Sequence, residues 1–348
     1  MRLERRERVP LGLAIAAPVV AVIVALALSS VLIAATGVSV LDAYTRLFVG
    51  AFGSRLSLTE TLTRTTPLIL TGLAAAVAFR SRLWNIGAEG QFYAGAITVA
   101  ALGSGIVALP PYLLIPVLML GGAVAGMIVL LGPVALRLRF GVDEVVTTLL
   151  LNFVIILFVS IMVDGPMKDP LALGWPQSVP VTSDATLAKL VPRSRLHTGL
   201  LVALVVALAV WAIEWRTVFG FESRVAGLNP SAATFSGIAL PTVLLTVAGL
   251  SGGLAGLAGA IEVMGLKGYV TTDLSPGYGY SGIVVAMLAG LNPLGVVLAA
   301  LFVATIFVGA DAMSRALAIP SFIADVIVAI SLLTMLVSLL FINYRVRR

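Results

Sequence analysis

Two groups of polar residues stand inside otherwise apolar stretches of this sequence. The first group is Asn85, Glu89 and Gln91. A carboxylate within a membrane is costly against lipid and usually faces the protein interior or a water-filled path. The group therefore fits a polar lining or gate of a conduit. It fits equally well a helix N-terminus, with Asn85 as the cap and Glu89 near the positive end of the helix dipole.

The second group is Glu144, Thr148 and Asn152, which are spaced four residues apart. That spacing puts all three on one face of a helix. A polar stripe facing lipid would be expensive, so we expect it to face other helices or an aqueous path. The alternative is that the three side chains hold packed helices together by hydrogen bonds. Both groups are thus candidates for a translocation path.

The sequence lacks the residues and motifs that metal binding, disulfide formation, ATP binding or hydrolysis would need. The chain has one histidine, His197, and no cysteine, which leaves neither a histidine metal cluster nor a disulfide framework. It contains no G-x-x-x-x-G-K-[ST] loop for ATP and no GxSxG or HExxH constellation. We therefore expect neither an enzyme nor a metal or cofactor site in this chain.

Composition indicates which elements must position the polar groups. Of 348 residues, 60% are hydrophobic and only 11% are charged, and the mean hydropathy is +1.11. These values are typical of polytopic membrane proteins. Long apolar runs without alternation predict an all-α fold, because a membrane span must satisfy its backbone hydrogen bonds internally. The net charge of +6 lies in short basic clusters beside apolar runs, which favours topology signals over nucleic-acid binding.

The apolar runs predict ten membrane spans in one transmembrane domain, residues 1–348. The first run, Leu11 to Ala35, follows Arg2, Arg5, Arg6 and Arg8 and is long for a signal peptide, so we expect a retained span. The last run precedes Arg345, Arg347 and Arg348. Arginines at both ends predict cytoplasmic termini, and hence an even number of crossings.

Features between the runs divide the chain further. Arg80 and Arg82 mark a cytoplasmic turn, and the break at Asn292-Pro293 separates two of the spans. The proline-rich segment at about 164–196 is predicted to be the main outer loop. Glycines four residues apart, including Gly252 and Gly256, predict a span packed centrally against its neighbours.

A cytoplasmic loop at about 215–240 lies between the sixth and seventh spans. Its polar residues include Arg224, Asn229 and Ser231, and its small apolar residues include Ala226 and Ala233. This mixture predicts a short amphipathic helix. Such a helix either docks onto another protein or rests at the membrane surface as a connector.

Several stretches together resemble the permease subunits of bacterial ABC importers for nucleosides and simple sugars, the family that includes ribose-type permeases. The matching stretches are LWNIGAEGQ (83–91), GVDEVVTTLLLNF (141–153), RVAGLNPSAATFSGI (224–238), LSGGLAGLAGAIEV (250–263) and GYGYSGIVVAMLAGLNPLG (277–295). They are spread from about residue 61 to 310. Each motif alone is weak, but their combination and order are specific.

The resemblance implies a multi-pass permease in the bacterial inner (cytoplasmic) membrane that forms the path for a nucleoside or related sugar-containing solute. It implies an ABC ATPase subunit that binds ATP and Mg, a second permease in a heterodimer or a second copy in a homodimer, and a substrate-binding lipoprotein. The cytoplasmic loop then corresponds to the ATPase-coupling loop. The coupling residues implied are Arg224, Ala226, Gly227, Asn229, Pro230, Ala233 and Gly237.

A stand-alone secondary transporter is the competing hypothesis, with Glu89, Glu144 or Asp325 as proton or ion sites. These carboxylates are predicted near span ends rather than at mid-depth, which argues against it. A structural membrane scaffold is a third alternative, and it leaves the polar stripe and the cytoplasmic loop without a purpose. The solute itself is not determined by the sequence.

Overall fold

Helices make up nearly all the regular structure of the protein, which confirms the all-α prediction. The computed structural model describes residues 2–5, 10–107 and 109–347, so Arg6, Arg8 and Arg348 of the terminal basic clusters lie outside the described residues. The helices are α1 (Leu11–Ala35), α2 (Val40–Phe52), α3 (Arg55–Arg80), α4 (Ala88–Ala101), α5 (Pro111–Phe140), α6 (Glu144–Asp164), α7 (Gly199–Arg216), α8 (Val218–Leu228), α9 (Pro230–Phe235), α10 (Leu240–Glu262), α11 (Tyr278–Leu288), α12 (Pro293–Leu317) and α13 (Ser321–Asn343). Two short terminal strands, β1 (Arg2–Arg5) and β2 (Tyr344–Arg347), pair antiparallel.

The number of membrane crossings remains a prediction. Within the described part of the chain, six helices are long and apolar enough to cross a membrane alone. A sharply bent pair, Val20–Ala35 with Val40–Phe52, would make seven if it counts as one span. Each of the ten predicted spans contains a helix, but α4 and α11 have only 14 and 11 residues. The count of ten is therefore not confirmed.

The predicted break before Pro293 separates α11 from α12. Leu291 adopts the left-handed backbone conformation, with φ of 60°. The side chain of Asn292 accepts a hydrogen bond of 3.0 Å from the Leu294 N–H. Pro293 is the first residue of α12, where its missing N–H costs nothing. A capping asparagine followed by proline thus ends one helix and starts the next.

Residues 62–300 form one compact unit. Its α10 packs along both α4 and α5, as expected for the glycine-rich span. A Cβ atom at Gly256 would overlap the carbonyl oxygen of Gly122, so the two backbones touch with no room for side chains. Close backbone approach of this kind is how small residues hold membrane helices together, because lipid offers no hydrophobic drive for association.

Residues 1–61 and 301–348 form a second compact unit. In it α1 packs against α13. Ile33, Leu47, Met313 and Ile327 belong to one buried apolar cluster, together with Ile319. Partly buried side chains of Val38, Val40 and Tyr44 pack against this cluster.

Candidate functional site

The first polar group forms a closed hydrogen-bond network in the interior of the unit of residues 62–300. Asn85 donates to the side-chain oxygen of Gln91 at 2.9 Å and to Ser251 Oγ at 3.0 Å. Gln91 donates back to Asn85 Oδ1 at 2.8 Å. Ser251 in turn donates to the Ala74 carbonyl at 2.7 Å. Because all three side chains are buried, this network ties the beginning of α4 to α10 and α3.

The second group binds the extended segment that precedes α4. Glu144 accepts hydrogen bonds from the Trp84 N–H at 3.3 Å and from Arg137 at 2.5 Å. Thr148 accepts from the Ile86 N–H at 3.3 Å. These backbone groups belong to no helix and need hydrogen-bond partners from elsewhere in the chain. The polar stripe of α6 supplies them.

Asn152 continues the same pattern one turn further along α6. It accepts from the Gly90 N–H at 2.8 Å and donates to the Ile86 carbonyl at 2.9 Å and to the Tyr280 hydroxyl at 3.1 Å. Asn152 is fully buried, whereas the neighbouring Phe153 is 56% exposed. The stripe therefore faces protein, and the side chains beside it face outward.

Glu89 has a different partner from the other five residues. Its carboxylate accepts from the Gly279 N–H at 2.6 Å, at the start of α11. One turn further along α4, the Tyr93 hydroxyl donates to the Thr272 carbonyl at 2.7 Å and accepts from the Ser275 N–H at 3.2 Å. Glu89 and Tyr93 thus attach α4 to α11 and to the loop before it.

The six predicted path residues therefore surround the beginning of α4, and protein groups hydrogen-bond each of them. All six are buried. This geometry favours the packing alternative for Glu144, Thr148 and Asn152. The alternative that Asn85 caps α4 is wrong, because Gly87 occupies the cap position and no side chain caps the helix, although Glu89 does lie in its first turn. A direct role of the six residues in contacting solute stays a prediction. Among the residues that the structure describes, no group of three or more His, Cys, Asp or Glu is placed to hold a metal ion.

The loop at about 215–240, predicted to be cytoplasmic, contains two short helices, α8 and α9, where the sequence predicts one. The side chain of Asn229 accepts a hydrogen bond of 3.1 Å from the Ala232 N–H, and Pro230 starts α9. A residue that precedes proline is disfavoured in the helical conformation. Asn229 accordingly ends α8 and caps α9, and Pro230 follows it.

The predicted coupling residues divide into buried and exposed ones. Ala226, Gly227 and Ala233 are buried within the chain, so they hold α8 and α9 in place. Asn229, Pro230 and Gly237 are exposed, and Arg224 is partly buried. Four large apolar side chains of α8 and α9 are exposed, and none of them is among the predicted coupling residues: Val218 (72%), Phe221 (58%), Leu228 (76%) and Phe235 (96%).

The sequence patterns do not predict one ion pair that lies close to α8. Arg80, at the end of α3, pairs with Glu214 of α7 at 2.8 Å, and both side chains are mostly buried. Arg80 also donates to the Leu291 carbonyl at 2.8 Å. In the sequence, Arg80 has the appearance of a topology signal. No local pattern connects it to a glutamate more than a hundred positions away.

The outer loop is anchored to the end of α10. Lys189 donates a hydrogen bond of 2.5 Å to the Gly265 carbonyl, and residues 186–189 and 264–268 line a cavity of about 420 Å³. The nearby His197 is buried, and its Nδ1 accepts from the Gly199 N–H at 3.2 Å. Burial, and to a lesser degree the charge of Lys189, lowers the pKa of His197 to about 4. Burial and then Arg195 lower the pKa of Lys189.

Comparison with known proteins gives consistent matches along the chain. Residues 57–342 match the family described as branched-chain amino acid transport system/permease component. The chain is 37% identical to a glucose ABC transporter permease protein of Haloferax volcanii, over 99% of this chain and 93% of that protein. It is 34% identical to a guanosine ABC transporter permease protein of Bacillus subtilis, over 91% of each. A nucleoside ABC transporter permease protein of Lactococcus lactis is 31% identical, over 86% of this chain and 84% of that protein.

A solved structure resembles the fold. PsaBC from Streptococcus pneumoniae, in complex with a Fab, superimposes with a TM-score of 0.50 and covers 85% of this chain and 95% of that chain. Its sequence identity to this chain is 13%. The likeness at that identity concerns the helical architecture alone.

Proposed function

The chain belongs to the branched-chain amino acid transport system/permease component family, and from that premise we propose that it is the membrane permease of an ABC importer for a nucleoside or a related sugar-containing solute. The observation that carries the proposal is the identity of 34–37% over more than nine tenths of both this chain and each of two ABC permeases. Those relatives are described for glucose and for guanosine. Both are neutral, hydroxyl-rich solutes.

Transport against a gradient needs an energy source outside this chain. The sequence has no Walker motif, so a separate ATPase subunit binds ATP and Mg and performs the hydrolysis. The permease itself is a transport subunit rather than an enzyme. This division of labour requires a surface on which the ATPase docks.

The helices α8 and α9 supply that surface. Leu228 and Phe235, at the last residues of α8 and α9, are the most exposed of their large apolar side chains, and an exposed apolar side chain of this size fits an apolar cleft on a partner. The position of the two helices is set by their buried or partly buried residues, which are Arg224, Ala226, Gly227 and Ala233. Asn229, Pro230 and Gly237 shape the turns that present them.

The six polar residues around α4 affect the solute path indirectly, because they hold the helices beside it in position. They fix α4 relative to α6, α10 and α11 by hydrogen bonds. The path in this proposal runs beside these helices, and Asn85, Glu89, Gln91, Glu144, Thr148 and Asn152 hold its wall in shape.

The remaining partners follow from the same premise. The permease works in the bacterial cytoplasmic membrane, beside a second related permease in a heterodimer or beside a second copy of itself. A substrate-binding lipoprotein delivers the solute from outside.

Reconstitution in proteoliposomes tests the proposal. Liposomes containing the permease, its paired permease and the ATPase receive the capture protein on one side and ATP on the other. Uptake of labelled guanosine, adenosine and glucose is compared with ATP and with a non-hydrolysable analogue. We expect uptake of at least one of these solutes only with hydrolysable ATP. Uptake by the permease alone, driven by a proton or sodium gradient, would contradict the ABC importer and support the secondary-transporter hypothesis.

A further inference from the structure

One arginine side chain at the cytoplasmic end of α3 contacts two other parts of the chain. Arg80 pairs with the Glu214 carboxylate at 2.8 Å and donates to the Leu291 carbonyl at 2.8 Å. Its guanidinium carbon lies 5.7 Å from the ring centroid of Trp215. The Nη1 atom contacts Glu214 as an ion pair without hydrogen-bond geometry, whereas Nη2 donates the hydrogen bond to Leu291. A planar guanidinium can make both contacts and lie near an aromatic ring at the same time. The ends of α3 and α7 and the turn between α11 and α12 are thereby joined.

The helix α8 is fastened to the same point. Arg224 donates to the carbonyl oxygen of Glu214, and its guanidinium carbon lies 5.1 Å from the Trp215 ring centroid. Carbonyls in the last turn of a helix carry a partial negative charge, so a cation is favoured there. In addition, a Cβ atom at Gly227 would overlap the carbonyl oxygen of Arg80. The backbone of α8 therefore rests directly on the end of α3.

We propose that the cluster of Arg80, Glu214, Trp215 and Arg224 is the mechanical link that carries movement of α8 into α3, α7 and α11. We call it the arginine cluster. The inference rests on the proposed function, because it assumes that an ATPase moves α8. It assigns to Arg80 a positioning role that neither the sequence motifs nor the family match indicates.

The cluster has the physical properties that such a link needs. The side chains of Arg80 and Glu214 are only 13% and 3% exposed, so their attraction is weakly screened by water. Separating two buried charges leaves both unpaired, which costs several kcal/mol. The ends of α3 and α7 therefore move together rather than independently.

The contact at Leu291 extends the link towards the membrane interior. Leu291 follows the end of α11, and the start of that helix is hydrogen-bonded to Glu89 through Gly279. A packed helix transmits displacement because protein interiors are dense and only slightly compressible. A shift of Arg80 is thus passed along α11 to the beginning of α4, where the buried polar network lies.

Conservative substitutions distinguish a link from a purely stabilising cluster. Arg80→Lys keeps the charge but cannot serve Glu214 and Leu291 with a planar fork. Glu214→Gln keeps the shape of the side chain and removes the ionic attraction. The matched control is Arg82→Lys, since Arg82 stands two positions further along the same helix end with an exposed side chain.

The measurement is made on the reconstituted importer described above. Each variant is assayed for co-purification of the ATPase, for ATP hydrolysis and for solute uptake, and the amount of solute moved per ATP is the deciding quantity. We expect both variants to retain the ATPase and to move about fivefold less solute per ATP, a loss of the size typical of coupling between sites. Arg82→Lys is expected to match the unaltered protein.

The outcomes separate the two proposals. If Arg80→Lys and Glu214→Gln both move as much solute per ATP as the unaltered protein, the arginine cluster is not the link. This holds even if ATP hydrolysis and solute uptake both decrease in proportion. If Arg82→Lys lowers the ratio as much as they do, the effect is not specific to the cluster and the inference fails too. If the unaltered protein shows no ATP-driven uptake, the proposed function itself fails.

Discussion

The Glu89 carboxylate accepts a hydrogen bond of 2.6 Å from the Gly279 N–H, which joins the first turn of α4 to the first turn of α11. These helices have 14 and 11 residues, whereas a membrane span needs about 20. The first N–H groups of a helix have no partner within it and favour a negative charge. A carboxylate in the first turn of α4 therefore satisfies one of the free N–H groups at the beginning of α11.

An acidic substitution on α9 should abolish ATPase docking. Phe235→Glu replaces a side chain that is 96% exposed, so folding should be unaffected. In an apolar cleft the new charge would be buried without a partner, and we expect ATPase association to weaken at least about tenfold. Co-purification of the ATPase is the measurement. Ala233→Glu is unsuitable, because Ala233 is buried within this chain.

The control for docking lies in the outer loop. Leu173 is 100% exposed, and Leu173→Glu makes a comparable change at a site predicted to face the other side of the membrane. It should leave ATPase association unchanged. Equal retention of the ATPase by Phe235→Glu would exclude this end of α9 from the docking surface.

The predicted topology has both termini in the cytoplasm. The chain contains no cysteine, so single cysteines can be introduced without a background. A thiol reagent that does not cross membranes should label Leu173→Cys in intact cells and Val346→Cys only after the membrane is opened. Labelling of position 346 from outside would refute the even number of crossings.

Removal of the Asn152 side chain should destabilise the protein. Asn152→Leu leaves the Gly90 N–H and the Ile86 carbonyl buried without their partners. Each unsatisfied group costs about 1–3 kcal/mol, so we expect a loss of about 2–6 kcal/mol in the free energy of unfolding. Phe153→Leu, at an outward-facing neighbour, should cost less than about 1 kcal/mol. Thermal unfolding in detergent compares the two, and equal losses would argue against the hydrogen bonds as the cause.

A methyl group at Gly256 should disturb the contact of α10 with α5. The added Cβ would overlap the Gly122 carbonyl and approach the Gly126 Cα to 2.9 Å. We expect Gly256→Ala to lower the free energy of unfolding by about 1–3 kcal/mol. In the matched control Gly253→Ala, on the same helix, the new Cβ meets the Ala123 carbonyl oxygen at an ordinary contact distance of 3.6 Å, and the higher helix propensity of alanine adds up to about 1 kcal/mol. A stabilising Gly256→Ala would contradict the close packing.

The outer loop should loosen as the pH falls. The folded-state pKa of His197 is lowered to about 4, while an unfolded histidine titrates near 6.5. Between these values the unfolded state binds more protons, so stability is full above about pH 6.5 and declines towards pH 4 by up to about 3 kcal/mol. The hydrogen-exchange protection factors of residues 189–199, which are corrected for the intrinsic slowing of exchange at low pH, should decrease over that range.

The matched variant for this pH effect is His197→Asn. Its side-chain oxygen can accept the hydrogen bond that Gly199 now donates to His197, and it does not titrate. Protection factors in the variant should show a weaker dependence on pH. If the loop had the same protection factors at pH 7 and pH 4.5, protonation of His197 would not control its opening.

Much of the architecture is determined by the sequence itself. The long apolar runs predict the all-α fold, and Asn292-Pro293 predicts the break between α11 and α12, because hydropathy and backbone restriction act over a few neighbouring residues. The spacing of Glu144, Thr148 and Asn152 predicts their common helical face for the same reason. The order of the motifs predicts the permease family.

Only the tertiary structure decides which groups meet. Arg80 and Glu214 form an ion pair although more than a hundred positions separate them in the sequence. Ala233 is buried and Phe235 is exposed, although both belong to the same predicted amphipathic segment. A buried polar group must find a partner, but the local sequence does not say which one. That choice depends on how the helices pack, and it makes the difference between a polar stripe that lines a path and one that holds α4 in place.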